Sequence, residues 1–326
     1  MTSSSVDRAC HICGNQVGHR EFTCREKMFG LGDPFPYFQC GQCQCLQLAT
    51  TPDDWNRFYP PAYYSFNQSP APMKGYNAWR HRQRDIRMLT GKGGWLGRLF
   101  SKARAPEPAL ASIRRAAVTP QTRILDVGCG RGHLLSVLWR AGFRNLGGLD
   151  PFLPADVEIT PGLTVRRSAL EDLKEQFDLI MMHHVFEHLP DPRATLRACH
   201  DRLHPRGQVI VRIPCVDSDS WERYRENWVN LDCPRHVHLL SRRSVELLAD
   251  QTGFTIKDWY CDADGFQFWG SELYTRGLTL YDAQGQSTPL NDHFSREELD
   301  RFEQEAARLN SINRGDQVAV FLTPKT

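Results

Sequence analysis

The sequence predicts an α/β protein: an open, doubly wound, mostly parallel sheet of seven strands, preceded by a small cysteine-rich module. Three observations carry that expectation. From Ala109 onward short apolar runs alternate with helical stretches, the first run breaks into a glycine turn in "ILDVGCGRGHLL", and two Cys-x2-Cys pairs lie near the N-terminus. A chain of 326 residues can bury a full core and still carry one accessory module. With 40 Lys and Arg against 38 Asp and Glu, no whole-molecule field draws it to nucleic acid or to an anionic membrane. The opening "MTSSSVDRAC" lacks the apolar run of a signal peptide, and no later segment approaches the length of a membrane span. The expectation is a cytoplasmic chain whose eleven cysteines stay reduced, so that their spacing carries the meaning.

Taken in order, residues 1–50 hold Cys10-His-Ile-Cys13-Gly and Cys40-Gly-Gln-Cys43, separated by 26 residues. Each pair has a neighbouring glycine that permits a tight knuckle. Four thiolates in this arrangement close a tetrahedral zinc site, so Cys10, Cys13, Cys40 and Cys43 are expected to hold a structural Zn2+ in a zinc-ribbon-like module. Cys24, Cys45, His11 and His19 read as packing and surface residues, and the absence of a Lys/Arg run here speaks against a nucleic-acid reader. Residues 51–108 form a connector: "YPPAYYSFNQSPAP" reads as irregular, and Lys74 to Arg104 is strongly basic with Asp85 as its one acid. Trp79, Ile86 and Leu89 recur at helical spacing. Either this basic helix meets substrate phosphates or an anionic membrane surface, or it simply packs one face on its own domain.

Residues 109–326 form the main domain. Strands are expected at 123–127, 145–149, 163–166, 177–182, 207–213, 254–260 and 317–322. Residues 262–315, with the helical "SREELDRFEQEAARLNSI", read as an insertion that closes over an acceptor. The turn Gly128-Cys129-Gly130-Arg131-Gly132 lets the backbone approach a ligand, and the helix starting near His133 points free N–H groups at it. Such a turn alone fits many nucleotide folds.

Three further features narrow it. Asp126 precedes the turn, Asp150 ends the next strand in "NLGGLDP" where an acid can grip both ribose hydroxyls, and "FDLIMMHHVFEHLPDP" is followed by "LHPRGQVIVRIP". Together, over about Ala109 to Tyr260, these resemble the motifs of class I S-adenosylmethionine-dependent methyltransferases, which have a Rossmann-like sheet. The resemblance implies that Asp126, Gly128, Cys129, Gly130 and Gly132 surround the methionine end of the cofactor, that Asp150 binds its ribose, and that Ala169, Leu170 and Glu171 flank its adenine. Where many relatives have an acid on the adenine amino group this chain has Ala169, which leaves that role to backbone groups or Glu171. His183 and His184 fall where the fourth strand opens onto the methyl group.

A hydroxyl acceptor needs a base, and histidine suits that task near neutral pH. His236, in "NLDCPRHVHLLS", is the first candidate, followed by His184 and His183; Glu187 and His188 suit capping and core hydrogen bonding as well as they suit chemistry. Trp221, Tyr224, Trp228, Phe266, Phe268, Trp269 and Tyr274, interleaved with polar residues, suit a sugar and equally suit an ordinary core. The order of cysteine module, "FYPPAYYSF" and methyltransferase core is similar to bacterial enzymes of surface-polysaccharide biosynthesis, and the lack of a longer C-terminal domain favours an oxygen acceptor over carbon. Three readings stay open: O-methylation of a nucleotide- or lipid-linked glycan, methylation of RNA, against which the charge and the missing Asn-Pro-Pro-Tyr motif speak, and a non-catalytic cofactor-binding adaptor. Oligomeric state is not legible.

Overall fold

The computed structural model describes residues 9–60, 75–91, 107–282 and 284–325. At the N-terminus β1 (Arg20–Arg25) and β2 (Pro34–Gln39) form an antiparallel pair, and β3 (Leu46–Leu48) lies beside β2. The two cysteine knuckles sit at the ends of these strands, closed by Gly14 N–H to Cys10 O at 2.8 Å and Gln44 N–H to Cys40 O at 3.0 Å. The connector "YPPAYYSFNQSPAP" beyond Pro60, and the basic residues Lys74, Lys92, Arg98, Lys102 and Arg104, lie outside the described residues.

Helix α1 (Gly75–Thr90) is the first half of the basic stretch, and it is docked rather than free. Leu89 is buried, Ile86 packs beside it, and Asp85 is buried in ion pairs with Arg84 at 2.8 Å and Arg140 at 3.3 Å. One face of the helix therefore belongs to the core of the main domain. Helix α2 (Pro108–Arg115) follows, its first turn preset by proline, and adds Leu110 and Ile113 to the same core.

The α/β domain then runs β4 (Ile124–Val127), α3 (His133–Ala141), β5 (Leu146–Leu149), β6 (Val157–Thr160), β7 (Leu163–Arg166), β8 (Phe177–His183), α4 (Pro192–Arg202) and β9 (Leu203–Pro214). After it come α5 (Asp219–Tyr224), β10 (His238–Leu239), α6 (Arg242–Gln251), β11 (Phe254–Cys261), α7 (Phe266–Thr275), α8 (Arg296–Ser311) and β12 (Gln317–Pro324). The large sheet has the order β11-β12-β9-β8-β4-β5-β7-β6. β12 is antiparallel to both of its neighbours, and the pairings among β4, β5, β7, β8 and β9 are parallel. The fold is Rossmann-like with a mostly parallel sheet, as expected, but it has eight strands rather than seven. The extra one, β6, is a four-residue edge strand antiparallel to β7, and so short a run with one glycine turn before its partner gives no strand pattern of its own.

The sheet is buried on both faces. β4 is buried at every residue, as are the central five residues of β9 from Val209 to Ile213. Strand order reverses at β4, which lies between β5 and β8, so the carboxyl ends of β4 and β8 flank the crevice where doubly wound sheets bind ligands.

β10 joins the two sheets. It pairs antiparallel with β3, with His238 opposite Gln47 and Leu239 opposite Leu46, and makes the N-terminal sheet four-stranded. The stretch "NLDCPRHVHLLS" is thus anchored to the N-terminal sheet while it faces the crevice. Arg235, fully buried, secures this junction: Nη2 donates to Glu26 Oε1 at 2.8 Å and Asp232 Oδ1 at 2.7 Å, and Nη1 donates to the carbonyl of Phe58 at 3.0 Å. Removing the guanidinium strands two buried carboxylates. Arg235→Ala should therefore destabilise the fold by about 3–5 kcal/mol in denaturant unfolding, well beyond an ordinary surface substitution.

Candidate active site

Backbone conformation explains the glycine turn. Gly128 has φ 69°, its N–H donates to Leu149 O at 2.7 Å, and a Cβ there would lie 2.5 Å from Val185 Cγ2. Gly132 starts α3 at φ 78°, and a Cβ would lie 2.2 Å from Ile159 Cδ1 on β6. Both positions need glycine for conformation and for space. Asp150 ties the turn to β5: Gly130 N–H donates to its Oδ2 at 2.9 Å and Phe152 N–H to its Oδ1 at 2.9 Å. Each carboxylate oxygen keeps a lone pair for a hydroxyl.

Asp126 is buried, and burial, with the nearby Asp150 carboxylate adding to it, pushes its carboxyl up to about 8. Burial likewise pushes the Cys129 thiol well up, so it acts as a packing group rather than a nucleophile. The Ala169 N–H is taken by Asp172 Oδ2 at 3.2 Å, Leu170 is buried, and Glu171 is exposed.

A cleft of about 730 Å³ opens at the carboxyl ends of β4 and β8. Asp126, Gly128, Cys129 and His133 line one side, and His183, His184 and His188 line the end of β8. Asn230, Asp232 and His236 come from the segment before β10, and Asp262, Asp264, Phe266, Gln267 and Trp269 come from the insertion after β11. The structure thus brings three of the methionine-end candidates, Asp126, Gly128 and Cys129, together with all three candidate histidines. Gly130, Gly132, Asp150, Ala169, Leu170 and Glu171 are not among the residues that line this cleft.

The three histidines differ in what their ring nitrogens do. Both nitrogens of His183 are buried without a hydrogen-bond partner among the described residues, and burial, followed by the Arg212 guanidinium, holds it down at about 3. It stays neutral, a poor proton acceptor. His184, at φ 56°, has Nε2 against the Arg212 guanidinium and Nδ1 3.5 Å from Glu187 Oε1, so both of its nitrogens are engaged. His236 donates from Nδ1 to the carbonyl of Asn230 at 2.7 Å, which leaves Nε2 as the acceptor, 3.9 Å from Glu187 Oε1 and 3.8 Å from Asp232 Oδ2. Glu187 is fully buried; burial raises its carboxyl, but His184, His188 and His236 outweigh that and hold it at about 2.

Of the seven aromatics that suited either an acceptor site or a core, only Phe266 and Trp269 line the cleft. Trp221, Tyr224, Trp228 and Phe268 are buried in the core between the N-terminal sheet and the C-terminal helices, and Tyr274 is buried in the neighbouring cluster. The spacing matched a core because it is one.

Away from the cleft, Cys10, Cys13, Cys40 and Cys43 bring their Sγ atoms within 4.8 Å of one another, with Cys10 to Cys43 and Cys13 to Cys40 each at 3.5 Å. A tetrahedral zinc with bonds of about 2.3 Å sets its sulfurs about 3.8 Å apart, so the four thiols fit that ion. Gln47 Nε2 donates to Cys10 Sγ at 2.9 Å, an outer contact of the kind that orients a ligand. His11 and His19 point elsewhere: His11 Nδ1 lies 3.0 Å from His238 Nε2, and His19 packs on Phe38.

Residues 78–258, more than half of the chain, match the Methyltransf_23 family, described as a methyltransferase domain. The chain belongs to that family. The chain is 37% identical over 98 residues to the ubiquinone biosynthesis O-methyltransferase of Pseudomonas syringae, an alignment covering 27% of this chain and 42% of that protein. The corresponding protein of Pseudomonas aeruginosa is 34% identical over 100 residues, covering 27% and 43%. The chain thus spans less than half the length of these curated relatives. Among solved structures it is similar to one of a complex between the Haloferax volcanii Trm112 methyltransferase activator and a methyltransferase, at TM-score 0.44 and 15% identity, covering 78% of this chain and 100% of that one. It is also similar to the Burkholderia thailandensis 1,6-didemethyltoxoflavin-N1-methyltransferase bound to S-adenosylhomocysteine, at TM-score 0.40 and 15% identity, covering 78% and 93%.

Asp232, Arg212, Asp262 and Asp316 are cleft residues that sequence reasoning missed. Acids and arginines scattered over a hundred positions carry no local pattern, and only the fold gathers them. No helix among the described residues is long and apolar enough to cross a membrane.

The raised carboxyl of Asp126 makes a prediction. At pH 7 the empty site holds it mostly protonated, and the ammonium of S-adenosylmethionine bound beside it would favour the carboxylate. Cofactor binding at pH 7 should then release close to one proton, roughly 0.9 from a group titrating near 8. Calorimetry in buffers of differing ionisation enthalpy measures this release, and Asp126→Asn should abolish it.

Proposed function

We propose that the protein transfers the methyl group of S-adenosylmethionine to a hydroxyl oxygen of a polyhydroxylated small acceptor, such as the sugar of a nucleotide- or lipid-linked glycan. The observation that carries this reading is His236 Nε2. It faces the cleft between Glu187 and Asp232, across from the Asp126 and glycine-turn side where the cofactor's methionine end is expected. An acceptor hydroxyl seated there loses its proton at this cluster. The oxygen then attacks the methyl carbon in line, the S–C bond breaks with its electron pair going to sulfur, and the neutral thioether leaves.

The walls support a polyhydroxyl acceptor. Asn230, Asp232, Asp262, Asp264 and Gln267 supply hydrogen-bonding groups, while Phe266 and Trp269 supply flat apolar surface. Asp150 and the glycine turn take the cofactor's ribose and methionine end, and Ala169 to Glu171 flank its adenine. The closed four-cysteine cluster holds a structural Zn2+ that fixes the N-terminal sheet, leaving no open position for chemistry.

Two outcomes test this reading. His236→Ala should lower kcat by roughly 10²–10⁴ with the affinity for S-adenosylmethionine unchanged, measured against a panel of nucleotide-linked sugars with a simple phenol as counter-acceptor. A preference for the phenol would overturn the acceptor class. Cys13→Ser should cost the protein its stoichiometric zinc, read by elemental analysis, and lower its melting temperature.

A further inference from the structure

The structure carries a second cluster of metal-ligating side chains, at the floor of the cleft. The ligand atoms of Glu187, His188 and His236 all lie within 4.8 Å of one another. Glu187 follows β8 and His236 precedes β10, and the two loops are clamped together by Val237 N–H donating to Glu187 O at 2.8 Å. The rings of His188 and His236 meet edge to face, with centroids 4.7 Å apart.

Two features separate this cluster from ordinary packing. The Glu187 side chain is wholly buried, and neither of its oxygens accepts a well-formed hydrogen bond among the described residues, with His184 Nδ1 in ion-pair range of Oε1 at 3.5 Å. A buried carboxylate in that state is costly unless something pairs with it. The histidines are also oriented as ligands: His188 donates from Nδ1 to Arg235 O at 2.9 Å and His236 from Nδ1 to Asn230 O at 2.7 Å. In both rings the outward donor is spent on a backbone carbonyl, which leaves a neutral Nε2 lone pair for a cation.

We propose that Glu187, His188 and His236 bind a divalent transition-metal ion, distinct from any ion in the cysteine cluster, and that the acceptor hydroxyl enters an open position on it. Three protein donors leave open positions, as in catalytic sites and unlike the closed four-cysteine cluster. Two imidazoles and one carboxylate suit manganese, iron, cobalt or zinc better than calcium or magnesium, which take mainly oxygen. The ion lowers the pKa of the bound hydroxyl, so its proton passes to bulk water and His236 acts as ligand. The remaining step is unchanged: the oxygen–carbon bond forms as the sulfur–carbon bond breaks, with the electron pair leaving on sulfur. The inference rests on the reading of the cleft as the acceptor site.

The test is Mn2+ titration of the zinc-loaded full chain, reading free Mn2+ by electron paramagnetic resonance. One Mn2+ per chain is expected. Glu187→Gln and His188→Asn, each close to isosteric, should weaken it more than about tenfold while zinc content, S-adenosylmethionine affinity and the far-ultraviolet circular dichroism stay as in the parent protein. Absence of Mn2+ binding, or equal binding by parent and both variants, overturns the site. Full methylation by protein stripped of all but its cysteine-bound zinc overturns the metal's role and leaves the O-methyl reading standing. One bound Mn2+ in a protein that methylates no hydroxyl acceptor does the reverse.

Discussion

A single buried guanidinium holds the two halves of the molecule in register. Arg235 reaches from the segment before β10 to Glu26 at the end of β1 and to Asp232 in its own turn, and its Nη1 meets the carbonyl of Phe58. Glu26 in turn accepts the N–H groups of Phe29 and Leu31 at 3.1 and 2.9 Å, so the loop between β1 and β2 is built around the same carboxylate. A charge buried this deeply is tolerated only because both partners and the backbone satisfy it, which leaves the geometry little freedom. One residue further on, Tyr37 of β2 donates to the carbonyl of His236 at 2.8 Å. The N-terminal sheet therefore backs the segment that lines the cleft, although none of its strands contributes a lining residue.

That arrangement divides the site by rigidity. The cofactor side is fixed by the sheet itself: β4, the glycine turn and Asp150 are tied by backbone hydrogen bonds at a topological switch point. The side proposed for the acceptor is assembled from three separate pieces, namely the loop after β8, the stretch before β10 and the segment after β11. It is held by side-chain pairs such as Arg212 to Asp262 at 2.7 Å and Trp228 Nε1 donating to Asp316 at 2.7 Å. Burial pushes the Asp316 carboxyl up to about 6, although Trp228 and Asn230 both donate to it. Such a mosaic is where one fold changes acceptor without changing cofactor.

The same division explains what the sequence showed. The strands of the large sheet, the glycine turn and the cysteine pairs are local patterns, each set by spacing over a few residues, and they were legible. β6 was not, because four residues at an edge give no alternation to read. β10 was not, because a two-residue strand exists only through its partner β3. Glu187 and His188 looked like capping residues and His236 like a lone base, since nothing in the sequence places position 187 against position 236. Aromatic spacing left core and acceptor site undivided for a related reason: Trp221 and Trp228 mark a core against the N-terminal sheet, and a buried ring and a cleft ring have the same period.

Charge gives the cleft its remaining logic. Asp126, Asp232, Asp262, Asp264 and Asp316 line it against one guanidinium among the described lining residues, Arg212, which is itself paired with Asp262. With Asp126 held mostly protonated, the negative charge falls to the other carboxylates; a cleft of that sign attracts a sulfonium and repels phosphate, so the phosphates of the proposed nucleotide- or lipid-linked acceptor would lie outside it. The positive charge on sulfur disappears as the methyl leaves. The field therefore favours the charged cofactor over its neutral product, which helps loading and release but does little for the step between, because a charge already present in the ground state is stabilised there as well. In the proposed O-methyl transfer, what accelerates the step must act on the acceptor oxygen, and among the described residues the groups that the proposal gathers for that purpose are those around Glu187 and His236.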